Sequence, residues 1–376
     1  MHKKRVMKDI KRSNKRNIML KASVVAASLA VLSAVPAFAT GVSFAPPVQK
    51  IFTNWQVTCN NLNDCDVRNI DENLRITLSR QAGATGVTSL TIVPFSQEAH
   101  PTLWLDEDPA EGLNLTPSLN DDDAIVATEN LSAIQHFLQQ AKDALTLSVG
   151  DDPQQGSSLR GLNAALLLVD ERQGRIGTQG ALLQRGSKPA SDVPARLSQP
   201  GLPPALTNVP TVSNPQTLVE AVIKAQHALL VRETCDVNEQ DKEMNQVHPL
   251  DERNALIMIN CGMGAYQSSS LVFITPRDNP SAAHQLVLPL PLPDENGHPQ
   301  QVDWFTNADY DPQTGDLFHL AKGRGFADCG ERAQWRYDGK QFQLVTYHSQ
   351  TGCHGGWPGE WPSLWETPGY DEDNQR

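Results

Sequence analysis

Residues 333–344, Ala-Gln-Trp-Arg-Tyr-Asp-Gly-Lys-Gln-Phe-Gln-Leu, constrain the fold more than any other stretch of this chain. Asp338-Gly339 is a two-residue hairpin signal, because type I′ turns require positive φ at both central positions. A turn centred there sets Trp335 opposite Phe342, Ala333 opposite Leu344 and Tyr337 opposite the stem of Lys340. Arg336 and Gln334 then share the other face with Gln341 and Gln343. One face is apolar and the other polar, as a half-buried antiparallel ribbon requires.

Residues 1–39 read as a signal peptide rather than as fold. Lys3, Lys4, Arg5, Lys8, Lys11, Arg12, Lys15, Arg16 and Lys21 form a long basic region, and Met19 offers a second start. An apolar run from Ala22 to Ala39 follows and ends in the small-x-small pattern Ala37-Phe38-Ala39. That run is shorter than the ~20 residues a membrane span needs, and no later stretch could cross a membrane once the signal is removed. The whole chain carries −12; residues 1–39 hold nine Lys/Arg and one Asp, or +8, which leaves −20 on the remainder. An acidic surface argues against nucleic acid and anionic headgroups as partners.

The six cysteines all follow the signal, in an exported chain where disulfides persist. Six cysteines leave many connectivities open; proximity in sequence suggests Cys59–Cys65, Cys235–Cys261 and Cys329–Cys353. There is no Cys-x-x-Cys and no spacing that gathers four ligands, so no metal centre is expected.

The roughly 335 residues after the signal suggest two β-rich domains, over 40–185 and 217–370. Between them, 186–216 holds Pro189, Pro194, Pro200, Pro203, Pro204, Pro210 and Pro215 among Ser, Asn and Gly, a composition that suits an extended linker. Alternation predicts strands over 52–59, 74–78, 87–92, 255–259, 270–274, 284–288 and 315–320. Helical spacing predicts a helix after the N-cap Asn130. A second runs through Leu162, Ala165, Leu166 and Val169 to the C-cap Gly174, and a third spans 215–230. The fold class is therefore α+β, mainly antiparallel β: two disulfide-stapled β-rich domains with a few packed helices.

Several motifs carry a family resemblance. In the C-terminal half they are Cys261-Gly-Met-Gly-Ala-Tyr266, Lys322-Gly-Arg-Gly, Asp328-Cys-Gly330, Trp335-x-Tyr-Asp-Gly-x-x-Phe-x-Leu344 and Cys353 followed by Trp361-Pro. In the N-terminal half they are Trp55-Gln-Val-Thr-Cys59, Cys65, and Gly161-Leu-Asn-Ala-Ala-Leu before Asp170-Glu-Arg-Gln-Gly-Arg175. The chain resembles a bacterial family catalogued as domain of unknown function 1176, and its N-terminal half is distantly similar to invasion-associated locus B proteins. The resemblance implies an exported protein of the Gram-negative envelope, in the periplasm, and implies no activity or site.

Candidate site residues come from local chemistry. No nucleophile elbow and no Ser-x-x-Lys are present, and all six cysteines are assigned to pairs. Asp328, beside glycines and near Arg324, is either an acid or a loop brace. Lys322-Gly-Arg-Gly concentrates cations on an acidic chain and either holds an acidic group or packs against a ring and Asp328; it lacks the Gly-Lys-Ser/Thr of a phosphate loop. Asn307 to Asp316 alternates oxygen side chains but has no closing Glu for calcium, and His348 and His354 lack a third ligand. Trp357, Trp361 and Trp365 form either an aromatic platform or caps on the core. No cofactor is expected. These residues favour a non-catalytic binding or envelope-support module that contacts an envelope protein or glycan through Lys322, Arg324, Asp328 and the three tryptophans. The alternatives are a carboxylate-dependent hydrolase of an envelope polymer, acting near Asp328, and a purely structural accessory.

Overall fold

The computed structural model describes residues 45–370 except 71–73, 95–101, 114–115, 121–122, 151–155, 200, 207, 238–241, 295 and 355–357. The signal peptide expected over 1–39 lies outside the described residues. The fold is α+β and mainly antiparallel, with four α-helices among the described residues.

The stretch 52–59 is a hairpin rather than a single strand. Val48–Phe52 pairs with Trp55–Cys59 around Thr53-Asn54, and Thr53 takes a positive φ of 53°. The expected alternation fails because Trp55–Cys59 is buried at every position, on both faces. These two strands start a seven-stranded antiparallel sheet that continues through Cys65–Asn69, Leu74–Arg80, Thr88–Pro94, Asp123–Thr128 and Thr116–Asn120. Leu74, Ile76 and Leu78 point inward with Arg80, in strict alternation. Two helices cover that side. α1 (Leu131–Ala141) is capped by the Asn130 side chain, which accepts from Ala133 N at 3.1 Å. α2 (Leu162–Arg172) is followed by Gly174 at φ 66°, the left-handed residue that ends a helix.

In the C-terminal half, the helix expected over 215–230 is two: α3 (Pro215–Ala225) and α4 (His227–Arg232). The break falls at Gln226, whose side-chain amide donates to Ala283 O at 2.7 Å. Both helices lie against a sheet of Gln246–Pro249, Asn254–Met263, Ser268–Pro276 and His284–Gln285, with Phe305–Thr306 added on. The strand expected over 284–288 also divides: His284–Gln285 stays in this sheet, and Leu288–Pro293 pairs with Pro299–Val302. The described residues of 186–214 hold a short 3-10 turn, Ala190–Asp192, and an isolated bridge from Lys188 to Thr178. That connector is nevertheless anchored, with Val193 buried and Arg196 bonded to Asp64.

The last sheet runs Asp309–Asp311, Asp316–Lys322, Gly330–Tyr337, Phe342–Gln350 and Ser363–Trp365. It contains the Asp338-Gly339 hairpin, in a different register. Tyr337 faces Phe342 and Trp335 faces Leu344, so the loop has four residues. The cause is the Asp338 carboxylate, which accepts from Lys340 N at 2.8 Å and Gln341 N at 2.9 Å and closes a wider turn. The shift is by two positions as far as Trp335, so Trp335, Tyr337, Phe342 and Leu344 keep their expected face; a bulge between Gln334 and Trp335 then sets Ala333 opposite Tyr347. The polar face, however, is covered. Gln334 and Arg336 are buried, Tyr370 Oη donates to Gln334 Oε1, and Arg336 donates two 2.7 Å bonds to the fully buried Asp316 opposite it.

Breaking one side of such a pair strands the other charge. Arg336→Met should therefore cost about 3–5 kcal/mol in chemical denaturation, while Asp316→Leu combined with Arg336→Met should regain most of it. Equal losses in the single and double variants would refute this account of the pair.

Candidate functional site

The loop between Lys322 and Gly330 closes the end of the last sheet, because those two residues are its final ladder pair. Gly323 donates its N–H to Cys329 O at 2.8 Å and crosses directly over the Cys329–Cys353 disulfide. A Cβ on Gly323 would stand 2.6 Å from Cys329 Sγ, so only glycine lets the chain pass this close. At the other end of the loop, a Cβ on Gly330 would meet Ala321 O at 2.3 Å and the Trp361 ring at 2.7 Å.

Within the loop, Arg324 Nε and Nη2 donate to the two oxygens of Asp328 at 2.6 and 2.5 Å. The Asp328 side chain is fully buried and that of Arg324 is half exposed. This is a bidentate brace across four residues, with the carboxylate turned away from solvent. Lys322 is held by its backbone: its N–H donates to Gln267 Oε1, and its carbonyl accepts from Gln267 Nε2 at 3.1 Å. Among the described residues its ammonium has no carboxylate partner.

The tryptophans occupy different environments. Trp361 is buried, and its Nε1 donates to Ala327 O at 3.0 Å, which ties the tail to the loop. Trp365 is half-buried in the ladder opposite Tyr347. Trp357 lies outside the described residues. The exposed apolar groups at this end are instead Phe326 at 57%, Tyr266 at 48% and Met263 at 59% exposure. Tyr266 and Met263 belong to the tip of the hairpin formed by Asn254–Met263 and Ser268–Pro276. The Tyr266 ring comes within 3.5 Å of a Cβ built on Gly325, next to Phe326. Gln267 bonds the tip to Lys322, and Cys235–Cys261 staples the strand that leads into it.

Two other arrangements have chemical interest. Asp328, Cys329 and Cys353 lie close enough to share a ligand, but both sulfurs are in a disulfide, and the metal ligand is a thiolate. The acidic stretch 307–316 is a turn: Asp311 accepts from Gln313 N and Thr314 Oγ1, and Asp316 is committed to Arg336. Glu331 sits between His319 and Tyr347. Tyr347 Oη donates to it at 2.8 Å, and His319 Nε2 lies 3.4 Å away. Thr306 N–H donates to His319 Nδ1, which leaves Nε2 as the protonated nitrogen facing Glu331. Burial raises the Glu331 pKa, but the bonds from His319 and Tyr347 outweigh it and hold the carboxyl below its ordinary value. The Tyr347 hydroxyl is pushed up by burial and then by the Glu331 charge.

Over residues 49–368 the chain matches the family described as "Protein of unknown function (DUF1176)". It belongs to that family. It is also 36% identical over 352 residues to "Uncharacterized protein YpfG" of Escherichia coli (strain K12), covering 87% of this chain and 95% of that relative. No solved structure matches it. The three expected cysteine pairs are the three that form.

Sequence reasoning singled out neither Tyr266 nor Phe326, although both lie in or beside the motifs quoted for the family. It also missed the His319, Glu331 and Tyr347 group. Those three come from separate strands, and only the register brings them together.

Two outcomes test this geometry. Gly323→Ala should lose about 1–3 kcal/mol by overpacking against the disulfide, while Gly325→Ala, whose new methyl meets only ordinary contacts, should stay near wild type. Glu331 has a depressed pKa, so its stabilisation is complete above the ordinary value of 4.5 and disappears as pH falls through its lowered folded value. In denaturation titrations from pH 7 to pH 3, Glu331→Gln should show a shallower acid loss than wild type; parallel curves would contradict the assignment.

Proposed function

We propose that this protein is an exported, non-catalytic binding module of the periplasm, delivered by the signal peptide read over residues 1–39. Its contact surface is the Lys322–Phe326 loop together with the Met263–Tyr266 hairpin tip, and its partner is an acidic protein segment that carries apolar side chains. The observation behind this reading is the exposed Phe326, Tyr266 and Met263 beside a Lys322 with no carboxylate partner among the described residues. Large apolar side chains grouped at a surface mark interaction sites. Lys322 and Arg324, on a chain whose net charge is −20 without residues 1–39, supply the complementary charge for carboxylates. Phe326 and Met263 offer a sugar hydroxyl no donor and at most a weak thioether acceptor, which favours a protein over a glycan.

Rigidity also supports the reading. Cys261 lies two residues before Met263, and Cys329 lies three after Phe326, so disulfides bracket both halves of the surface. Loops already fixed in one conformation lose less entropy on binding. Arg324 contributes by shaping the loop through Asp328 and by leaving half of its side chain in solvent. Asp328 acts as a brace in this reading. Among the described residues, no helix is long and apolar enough to cross a membrane.

The test is photocrosslinking in the periplasm, with the probe at Phe326 and a control probe at the equally exposed Val231. A specific adduct at 326, absent at 231 and weakened at least tenfold by Lys322→Glu in a folded protein, is the expected result. Equal labelling at both positions, or an adduct indifferent to Lys322→Glu, would sink the proposal.

A further inference from the structure

The motif Asp170-Glu-Arg-Gln-Gly-Arg175 plays no part in the surface above, and its charges do not balance. Arg80 and Arg175 are buried in the N-terminal half at 2% and 1% exposure. The carboxylate within electrostatic reach is Asp170, fully buried, and its oxygens accept from Leu182 N and Leu183 N at 2.8 Å and from Gln184 N at 3.3 Å. Among the described residues, neither guanidinium forms an ion pair. Arg175 uses Nε on Gln173 Oε1 and Nη2 on the carbonyls of Gln81 and Gly83. Arg80 uses Nη2 on Gly180 O, and its Nε and Nη1 have no protein partner. Thr178 Oγ1, 1% exposed, has none either. Two buried cations therefore face one carboxylate that bonds elsewhere, an arrangement that costs several kcal/mol unless a further anion compensates it.

Polar groups of all three side chains meet at Gly180. A Cβ built there would lie 3.4 Å from Arg80 Nη2, 3.6 Å from Arg175 Nη1 and 4.0 Å from Thr178 Oγ1, the nearest heavy atoms outside residues 179–181. Any side chain at position 180 would fill that space. Gly180 itself is half-buried, at the edge of these buried side chains. The walls are fixed: Gln135 of α1 donates to Gln179 O and Ala181 O, and Gln179 N and Gly186 N bond to Lys188 O and Thr178 O. Burial followed by the Arg175 charge lowers the Arg80 pKa to about 10, so both guanidiniums remain charged at neutral pH.

We propose that Arg80, Arg175 and Thr178 bind a small inorganic anion, of the size of chloride or bromide, against Gly180. The site is independent of the partner surface, and either proposal can fail alone.

The decisive experiment is anomalous diffraction from crystals of the full protein grown in sodium bromide. A bromide peak beside Gly180, within hydrogen-bond reach of both guanidiniums, is expected; density for water alone overturns the proposal. In solution, thermal unfolding in sodium chloride should show a saturable Tm rise of roughly 2–4 °C over sodium gluconate at matched ionic strength. Gly180→Ala, which puts a methyl into the space without needing a special φ, and Thr178→Val should each reduce the chloride difference at least tenfold in apparent affinity. Identical Tm in the two salts, or a response that survives Gly180→Ala, means an adventitious ion only and rejects the site.

Discussion

The Asp316–Arg336 pair is the constraint from which the C-terminal half follows. Its two groups face each other across adjacent strands and lie out of water. Once buried, they fix the register of Asp316–Lys322 against Gly330–Tyr337, because a slip of one residue would strand both charges inside the protein. That register carries along the sheet to Lys322 opposite Gly330, and so decides where the cationic loop emerges. The pair also requires a cover. Residues 363–370 provide it, with Thr367 Oγ1 bonded to Val345 O and Tyr370 bonded to Gln334. A ribbon with one wet face thus becomes one with two dry faces.

The proposed contact surface is assembled from two separate sheets. One contributes a hairpin tip, the other a glycine loop, and the Gln267 amide joins them. The glycines at the two ends of the loop have separate steric causes: Gly323 passes over a disulfide, and Gly330 passes beneath the Trp361 ring. The aromatic ring that a sequence reader would assign to binding is therefore part of the support, while Phe326 carries the exposed area.

Much of this fold is legible because its signals are local. Asn130 and Gly174 mark helix ends with their own backbone and side-chain geometry. Each cysteine pairs with its near neighbour in sequence, at separations of 6, 26 and 24 residues. What escaped depends on distant contacts. The break between α3 and α4 coincides with Gln226 reaching Ala283, 57 positions away. Trp55–Cys59 loses its alternation because two separate layers cover it. The hairpin itself was visible, but its loop length was set by the Asp338 carboxylate, which competes with the two-residue turn the dipeptide favours. The loop at Lys322 could be found from charge alone, whereas Tyr266 and Phe326 become neighbours only when two hairpins meet.

Asn61 adds a timing problem to this architecture. Its side-chain amide copies a ladder pair, donating to Glu366 O at 2.9 Å and accepting from Glu366 N at 2.8 Å, across 305 residues of sequence. Gln56 and Gln350 make a similar link between their side-chain amides. At roughly 5–20 residues per second, synthesis separates the two ends of this seam by about 15–60 s. Until residues 350–366 are delivered, the first sheet lacks its cover over Gln56 and Asn61, so in whichever compartment the chain folds, the seam between its two ends cannot close before its last strands arrive.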